Sequence, residues 1–261
     1  MYEDLDRPPL QPRVLNRALP PPWREVRVLD SIGSTNDYVA TLARAGAGEG
    51  LVVVAEHQFL GRGRLDRTWA SPPRAGLTFS VLLRPSVPPA VRPWVPMLLA
   101  AVASESLSDR CDLDVALKWP NDLLVAGRKV GGVLAESTGD AVVVGFGINV
   151  SNRRDELPRD DATSLSLETG DVVDRMPVLL ALLRAMGPAY VAWTGDAVEA
   201  AERYRARCDT VGRQVRVTLP GDRSLEGEAT GVDTAGRLVV TSPDGVETAV
   251  SAGDVVHVRP A

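Results

Sequence analysis

The chain has 261 residues, of which 44% are hydrophobic and 24% charged, proportions ordinary for a soluble globular protein of one large domain with or without a small one. Its formal net charge of −5 disfavours a broad electrostatic grip on nucleic acid. No run approaches the roughly 18 apolar residues of a membrane helix, and the start resembles no secretory signal. Cys111 and Cys208 are too few for a disulfide framework and lack the spacing of a zinc site. We therefore expect a cytoplasmic protein that binds no membrane.

The first third of the chain alternates irregular and regular stretches. Residues 1–23 hold six prolines and no periodicity, which predicts a tail or an irregular wrap. Polar and apolar residues alternate from Arg24, which predicts a strand. Ser34, Thr35 and Asn36 can cap the helix that follows, and the apolar run 51–56 predicts a buried strand.

The middle of the chain is predicted to be mixed in secondary structure. Residues 57–76 are rich in glycine, arginine and proline and are expected to be irregular. Strand-like segments follow at 77–85, 114–125, 129–138 and 141–150, with helices near 95–107, 177–188 and 196–207 and a polar link at 151–175.

The last fifty residues have a different pattern from the rest. From Gly212 onward, five short alternating strands are separated by Gly or Asp turns, the signature of a small β-barrel. This segment carries five arginines against seven acidic residues, which disfavours nucleic-acid binding. We predict a tail at 1–23, a large domain at 24–211 and a separate C-terminal barrel at 212–261.

Lysine is almost absent from the chain. Of the 29 basic residues, Lys118 and Lys129 are the two lysines and 27 are arginine. Arginine therefore serves wherever positive charge alone is needed, and a remaining lysine indicates a site that needs a compact ammonium.

The segment Gly61–Trp69 reads GRGRLDRTW. Glycines permit close approach of the backbone to a ligand, and arginines beside exposed amides form anion sites. Trp69 offers a flat face for a ring to stack on. An exposed basic loop would have the same composition, so the segment alone leaves both interpretations open.

Two further segments contain candidate site residues. Lys118-Trp119-Pro120-Asn121-Asp122 places a lysine and an aspartate at a rigid strand end, where a plain surface turn is the alternative. Glycines interrupt the strand patterns at Lys129–Glu136 and Gly145–Asn149, which indicates bulges, close ligand approach or simple turns. Neither a P-loop nor a dinucleotide fingerprint is present.

Taken together, these motifs resemble the biotin–protein ligase family. The matching pieces, in the family's order, are GSTN at 33–36, EHQ at 56–58, GRGRxxRxW at 61–69, KWPND at 118–122, GGVLAE at 131–136, GFGIN at 145–149 and the C-terminal barrel. The resemblance covers about residues 26–259, and the basic segment followed some 50 residues later by KWPND is its most specific part.

The resemblance implies an α+β fold: a central mixed sheet with helices on one side, as in class II synthetase-like biotin/lipoate ligases, plus the small barrel. It also implies a role for each matching residue. The expected biotin-binding residues are Ser34, Thr35, Asn36, Gln58, Arg62, Gly63, Arg64 and Lys118. The expected ATP- and adenylate-binding residues are Arg64, Arg67, Trp69, Lys118, Asn121, Lys129 and Asn149. Lys118, Arg64 and Arg67 are the expected catalytic residues, while the metal ligands stay unassigned.

The implied reaction has two steps. Biotin and ATP, with Mg²⁺, give biotinyl-5′-AMP and pyrophosphate, and a lysine of a biotin carboxyl carrier protein domain then takes the biotin and releases AMP. No general base for the second step is evident, although Asp122 is a candidate by position.

The sequence departs from the family pattern at two places. Asp66 stands where the family usually has Gly, and Phe59-Leu60 where small residues are common, which puts loop closure in doubt. Three alternatives stay open: a lipoate ligase or octanoyltransferase, a ligase that also represses transcription, and a non-catalytic binding module. The proline-rich start is too short for a winged-helix domain, so we expect no specific DNA binding.

Overall fold

The computed structural model describes residues 7–65, 67–193, 195–219, 223–251 and 253–258. Its first sheet has seven strands in the order β1-β2-β3-β7-β6-β5-β4. The strands are β1 (Glu25–Leu29), β2 (Leu51–Ala55), β3 (Gly76–Leu83), β4 (Val115–Lys118), β5 (Asp122–Val125), β6 (Arg128–Thr138) and β7 (Ala141–Asn149). β1 and β2 pair in parallel and the remaining neighbours are antiparallel, so the sheet is mixed as expected.

Six helices accompany this sheet among the described residues. They are α1 (Pro12–Ala18), α2 (Thr35–Arg44), α3 (Trp94–Cys111), α4 (Leu165–Thr169), α5 (Arg175–Ala192) and α6 (Ala197–Arg205), with two 3-10 turns at Pro89–Val91 and Arg154–Glu156. No helix of the described residues is long and apolar enough to cross a membrane.

Alternate residues of the sheet pack against helices on opposite faces. Val52 and Val54 join the main core with α3 and α5, whereas Leu51 and Val53 pack with α2. The two long helices thus share one face, as expected for this fold, and α2 covers part of the other. Successive side chains of a strand point to opposite faces, so a strand buried throughout, like β2, requires cover on both.

The expectation that the N-terminal segment is a tail or an irregular wrap is wrong for Pro12–Ala18, which forms a helix. Pro12 lies in the first helical turn, where its missing N–H costs nothing. Asn16 then caps the open edge of β1: its side chain accepts from Val26 N at 2.8 Å and donates to Val26 O at 2.9 Å. The segment therefore packs as part of the fold.

The C-terminal residues form an antiparallel five-stranded sheet in the order β11-β10-β9-β8-β12. The strands are β8 (Gln214–Leu219), β9 (Arg223–Val232), β10 (Leu238–Thr241), β11 (Glu247–Val250) and β12 (Asp254–His257). Among the described residues no ladder joins β11 to β12.

The C-terminal sheet shares its core with the rest of the molecule. Val215, Val217 and Val240 belong to the same buried cluster as α3 and the first sheet. Two buried indoles reach across: Trp94 donates to Thr234 O at 2.6 Å and Trp119 to Gly236 O at 3.0 Å. These contacts fix the turn between β9 and β10 against the rest of the molecule. β12 lies beside the end of β4, since Thr210 Oγ1 accepts from Trp119 N at 3.0 Å and lies 3.1 Å from His257 Nε2, and the cleft described next is formed there.

Candidate active site

A cleft of about 640 Å³ lies between the first sheet and the C-terminal sheet. Every residue predicted to bind biotin or ATP lines it: Ser34, Thr35, Asn36, Gln58, Arg62, Gly63, Arg64, Arg67, Trp69, Lys118, Asn121, Lys129 and Asn149. The fold therefore brings to one place side chains from separate segments of the sequence. Of the two departures noted above, Asp66 lies outside the described residues, and Phe59 and Leu60 are exposed beside the cleft.

One end of the cleft, here called the uncharged end, is formed by Ser34, Thr35, Asn36, Gln58 and Gly145. Thr35 donates to Gln58 Oε1 through its backbone N–H at 2.7 Å and lies within 2.9 Å of it through Oγ1. Ser80, fully buried behind the cleft, donates to Asn36 Oδ1 at 2.6 Å and lies 2.8 Å from Thr35 Oγ1. The amide and hydroxyl groups therefore hold one another in place without any ligand.

Asn36 is held from both sides. Its Nδ2 donates to Leu134 O at 3.1 Å and to Glu136 Oε2 at 3.0 Å, while its Oδ1 faces Gly145. A Cβ at position 145 would overlap Asn36 Oδ1, so glycine is required there by close approach. Arg62 closes this end through ion pairs with Asp37 and with Glu136, the latter at 2.6 Å.

The basic segment forms a tight loop between the two ends. Gly63 N donates to Arg67 O at 2.7 Å and Trp69 N to Gly61 O at 2.9 Å, and a Cβ at Gly61 would overlap Trp69 O. As expected, the described part of residues 57–76 contains no helix and no strand longer than a bridge before β3 begins.

The opposite end, here called the charged end, contains Arg64, Arg67, Lys118, Asp122, Lys129 and Asp254. Arg64 lies over the KWPND turn with its NH1 3.4 Å from Asn121 Oδ1, and burial lowers the pKa of its guanidinium. Arg67 reaches the C-terminal sheet and pairs with Asp254 at 2.5 Å. Lys129 pairs with Asp122 at 2.5 Å, and its Nζ lies 6.0 Å from the centroid of the Trp69 ring.

Lys118 differs from the other cations of this end. It is the last residue of β4, opposite Asp122 in the ladder, and its side chain makes no hydrogen bond or ion pair with the described residues. Its neighbour Trp119 is buried and donates its backbone N–H to Thr210 Oγ1 at 3.0 Å, which fixes the turn. Lys118 is thus a half-buried ammonium in the cleft, with no carboxylate of the described residues within ion-pair distance.

Asp122 is not an unpaired carboxylate in the cleft, because it forms an ion pair with Lys129 at 2.5 Å. Asn121 and Asn149 use their amide N–H groups on Val133 O and Thr163 O, both at 2.9 Å. Among the described residues no group of three or more His, Cys, Asp and Glu side chains could hold a metal ion by itself.

Several residues of the cleft carried no signal in the sequence. The C-terminal sheet contributes Asp254 and His257, and the 151–164 loop contributes Arg159 and Asp161. His257 Nε2 lies 3.1 Å from Thr210 Oγ1, and burial together with the charge of Lys118 lowers its pKa to about 4. An alternating strand pattern predicts which residues share a face but not what that face meets, so only the folded chain reveals these residues.

The order of the strands in the two sheets and the residues that line the cleft together define a class of protein. Residues 28–151 match the Biotin/lipoate A/B protein ligase family and residues 210–258 match the Biotin protein ligase C terminal domain. The chain is 38% identical to the biotin–[acetyl-CoA-carboxylase] ligase of Mycobacterium tuberculosis, over 97% of each chain. It is 33% identical to the bifunctional ligase/repressor BirA of Escherichia coli, over 85% of this chain and 70% of that protein.

A solved structure with both substrates has the same fold. The biotin protein ligase from Aquifex aeolicus in complex with biotin and ATP superposes with a TM-score of 0.76 at 28% identity, over 90% of this chain and 99% of that one. The chain belongs to the biotin–protein ligase family, and it is an ATP-dependent enzyme that joins biotin to protein.

Proposed function

We propose that biotin binds at the uncharged end of the cleft, that ATP binds with Mg²⁺ at the charged end, and that Lys118 lies where the two substrates react. The single observation that carries this proposal is the position of Lys118. Its side chain has no partner in the described part of the molecule and lies in a cleft with amides and hydroxyls beside the Arg62 ion pairs at one end and the ion-paired Arg67 and Lys129 at the other.

The uncharged end suits the ureido ring of biotin. That ring presents N–H donors and one carbonyl acceptor, and a ligand site usually recognises such groups with a few convergent polar side chains. Ser34, Thr35, Asn36 and Gln58 provide them, and the hydrogen bonds behind them limit the reorganisation that binding requires. Arg62 and Gly63 close over the bound biotin.

The charged end suits a triphosphate. Arg64 and Arg67 offer guanidinium groups to phosphate oxygens, Lys129 offers an ammonium, and Trp69 offers a face to adenine. Mg²⁺ enters with ATP as part of the substrate. It binds mainly to phosphates and water, which fits an end with one or two carboxylates and the amide oxygens of Asn121 and Asn149 rather than a metal cage.

In the first step a biotin carboxylate oxygen attacks the α-phosphorus of ATP and pyrophosphate leaves. Both partners are anions, so the enzyme must offset their repulsion and align them. Lys118 neutralises the carboxylate and the α-phosphate together, and Arg64 and Arg67 stabilise the charge that spreads over the phosphate oxygens.

In the second step a lysine amine of the carrier attacks the mixed anhydride, the acyl–oxygen bond breaks, and AMP leaves. The basic loop holds the adenylate and excludes water and stray amines until the carrier arrives.

We propose a biotin carboxyl carrier domain of a biotin-dependent carboxylase as the partner, and the cytoplasm as the location. We also propose that the chain consists of an N-terminal segment at 1–23, a catalytic domain at 24–211 and a C-terminal β-barrel domain at 212–261.

The decisive experiment is incubation with biotin, MgATP and a biotin carboxyl carrier domain, followed by mass analysis of the carrier. The expected result is a gain of one biotin on one lysine. A parallel incubation with lipoate tests the lipoate ligase alternative. Modification by lipoate and not by biotin would overturn the proposal, as would no modification of the carrier.

A further inference from the structure

The N-terminal segment reaches the 151–164 loop through a buried ion pair. Arg7 NH2 and NH1 donate to the two carboxylate oxygens of Glu156 at 2.5 and 3.1 Å, and NH2 also donates to Ser151 O at 2.8 Å. The two side chains are only 7% and 14% exposed. This pair joins positions 149 residues apart, so it fixes the loop against a distant part of the chain.

Two features indicate that the contact is strong. A guanidinium facing a carboxylate with two parallel hydrogen bonds has a specific geometry as well as charge. The hydrogen bond from Arg7 also holds the pKa of the Glu156 carboxyl below its usual value. At neutral pH the Glu156 carboxylate is therefore ionised and the ion pair is formed.

The loop that Arg7 holds is a wall of the cleft. Pro158, Arg159, Asp161 and Ala162 line it, and Glu156 lies only two residues before Pro158. Beyond these residues the loop is tied to the charged end: Lys129 N donates to Asp161 O at 2.7 Å, and Asn149 Nδ2 donates to Thr163 O at 2.9 Å. The loop is thus held by Arg7 at one end and by the residues assigned to ATP at the other.

Other contacts of the N-terminal segment lead toward the uncharged end but do not use the Arg7 side chain. Leu10 N donates to Glu56 Oε1 at 2.7 Å, two residues before Gln58, and Pro8 O accepts from Arg175 NH2 at 2.9 Å. Arg175 and Glu56 form a buried ion pair at 2.7 Å. Because Leu10 N and Pro8 O are backbone groups of the segment, we expect both hydrogen bonds to remain when the Arg7 side chain is truncated.

We propose that Arg7 is a positioning residue for the nucleotide: through Glu156 it sets the 151–164 loop against the charged end, and so sets the affinity for ATP but not for biotin. This inference rests on the proposed placement of ATP. Energetic coupling between two sites of one protein typically changes the affinity for a ligand by about 5- to 150-fold.

The test compares Arg7→Ala with Arg203→Ala, which controls for the loss of a two-bonded ion pair at a more exposed position. Arg203 forms a similar two-bonded pair with Glu105, at 3.0 and 2.5 Å, between α6 and α3 and away from the cleft lining. Arg7→Ala is expected to raise KM for ATP about tenfold with KM for biotin and kcat near wild type. Arg7→Lys should recover part of the loss, since it keeps the charge without the planar fork. The control should leave both KM values unchanged.

A second readout separates this inference from the proposed function. Hydrogen exchange of residues 153–162 without ligand should be faster in Arg7→Ala than in Arg203→Ala. If the wild-type enzyme biotinylates the carrier but the two variants have the same KM for ATP and the same exchange rate, the proposed role of Arg7 is wrong and the proposed function stands. If wild type does not biotinylate the carrier, the function fails, and equal exchange in the two variants still overturns the positioning of the loop by Arg7.

Discussion

At the uncharged end of the cleft, Thr35 donates to Gln58, and the buried Ser80 hydrogen-bonds both Thr35 and Asn36. At the charged end, Arg67 and Lys129 instead pair with Asp254 and Asp122. The first arrangement can receive a neutral ring with little change. With the substrates placed as we propose, ATP must replace the carboxylates of the second arrangement with its phosphates, an exchange that biotin binding does not require.

The two ends also differ in which parts of the chain build them. The uncharged end is made by α2, β7 and the residues after β2, all from the first sheet and its helices. The charged end needs β12 and the 151–164 loop as well. Substitutions should therefore separate the two ends in kinetic measurements, and the following predictions run from the largest expected effect to the smallest.

Lys118→Ala should have the largest effect, because it removes the cation that we propose faces both substrates. Loss of one such electrostatic contact costs about 2.7–4 kcal/mol, or roughly 10²–10³-fold in rate. The fold should survive, since Lys118 is the final residue of its strand and makes no hydrogen bond or ion pair with the described residues. Pyrophosphate exchange measures the effect. Exchange near the wild-type rate would remove Lys118 from the mechanism.

Arg64→Gly should weaken retention of the adenylate more than its synthesis, because Lys118 still faces the α-phosphate. A charge-assisted hydrogen bond contributes about 1.5–3 kcal/mol, which corresponds to roughly 10–150-fold faster release of biotinyl-AMP. A blot for biotin on bystander albumin, with adenylate release followed in parallel, measures the leak.

Arg64→Lys is the graded comparison for that variant, since it keeps the charge and loses the fork. It should leak less than Arg64→Gly and more than wild type. A glycine variant that makes adenylate yet labels no bystander would show that the basic loop is not the lid.

Substitutions at two glycines of β7 should distinguish the two ends of the cleft most clearly, because each should change the KM of one substrate. A Cβ at Gly145 would overlap Asn36 Oδ1, and a Cβ at Gly147 would overlap the Trp69 ring. Gly145→Ala should therefore raise KM for biotin, and Gly147→Ala should raise KM for ATP, each by about tenfold if one good hydrogen bond or ring contact is displaced.

Gly48→Ala is the control for both, since nothing lies within 4 Å of a Cβ there. Steady-state kinetics with each substrate varied in turn distinguish the variants. Equal changes in both KM values for either β7 variant would contradict the separation of the two ends.

His257 predicts a pH dependence of stability. Its folded pKa of about 4 lies below the ordinary value of 6.5 because of burial and Lys118, although Asp209 opposes the shift and Arg213 adds to it. The folded state therefore favours the neutral imidazole. The stabilisation is complete above about pH 6.5 and is lost as pH falls from there toward 4, by at most about 3 kcal/mol.

His257→Gln should make stability less dependent on pH in this window, because glutamine can hydrogen-bond Thr210 and does not titrate. Urea unfolding of both proteins at several values between pH 7 and 4.5 measures the difference. Parallel curves for the two proteins would mean that His257 does not contribute.

Local patterns in the sequence were sufficient for much of the fold and the site. The run LVVVA predicts β2 as a buried strand, and Ser34 predicts the start of α2, where its side chain accepts from Asp37 N. These features depend on neighbouring residues alone, so a short window contains all the information. The order and spacing of GRGRxxRxW and KWPND indicated the family, and with it the residues of the cleft.

Contacts between distant segments could be found only in the folded chain. Arg67 meets Asp254 across 187 residues, and Arg7 meets Glu156 across 149. No local pattern selects these partners, since an arginine can pair with any carboxylate that the packing brings near. The same reason explains why the helix at Pro12–Ala18, the packing of α2 on the second face of the sheet and the place of His257 in the cleft were decided by tertiary structure: each depends on what a surface meets after folding.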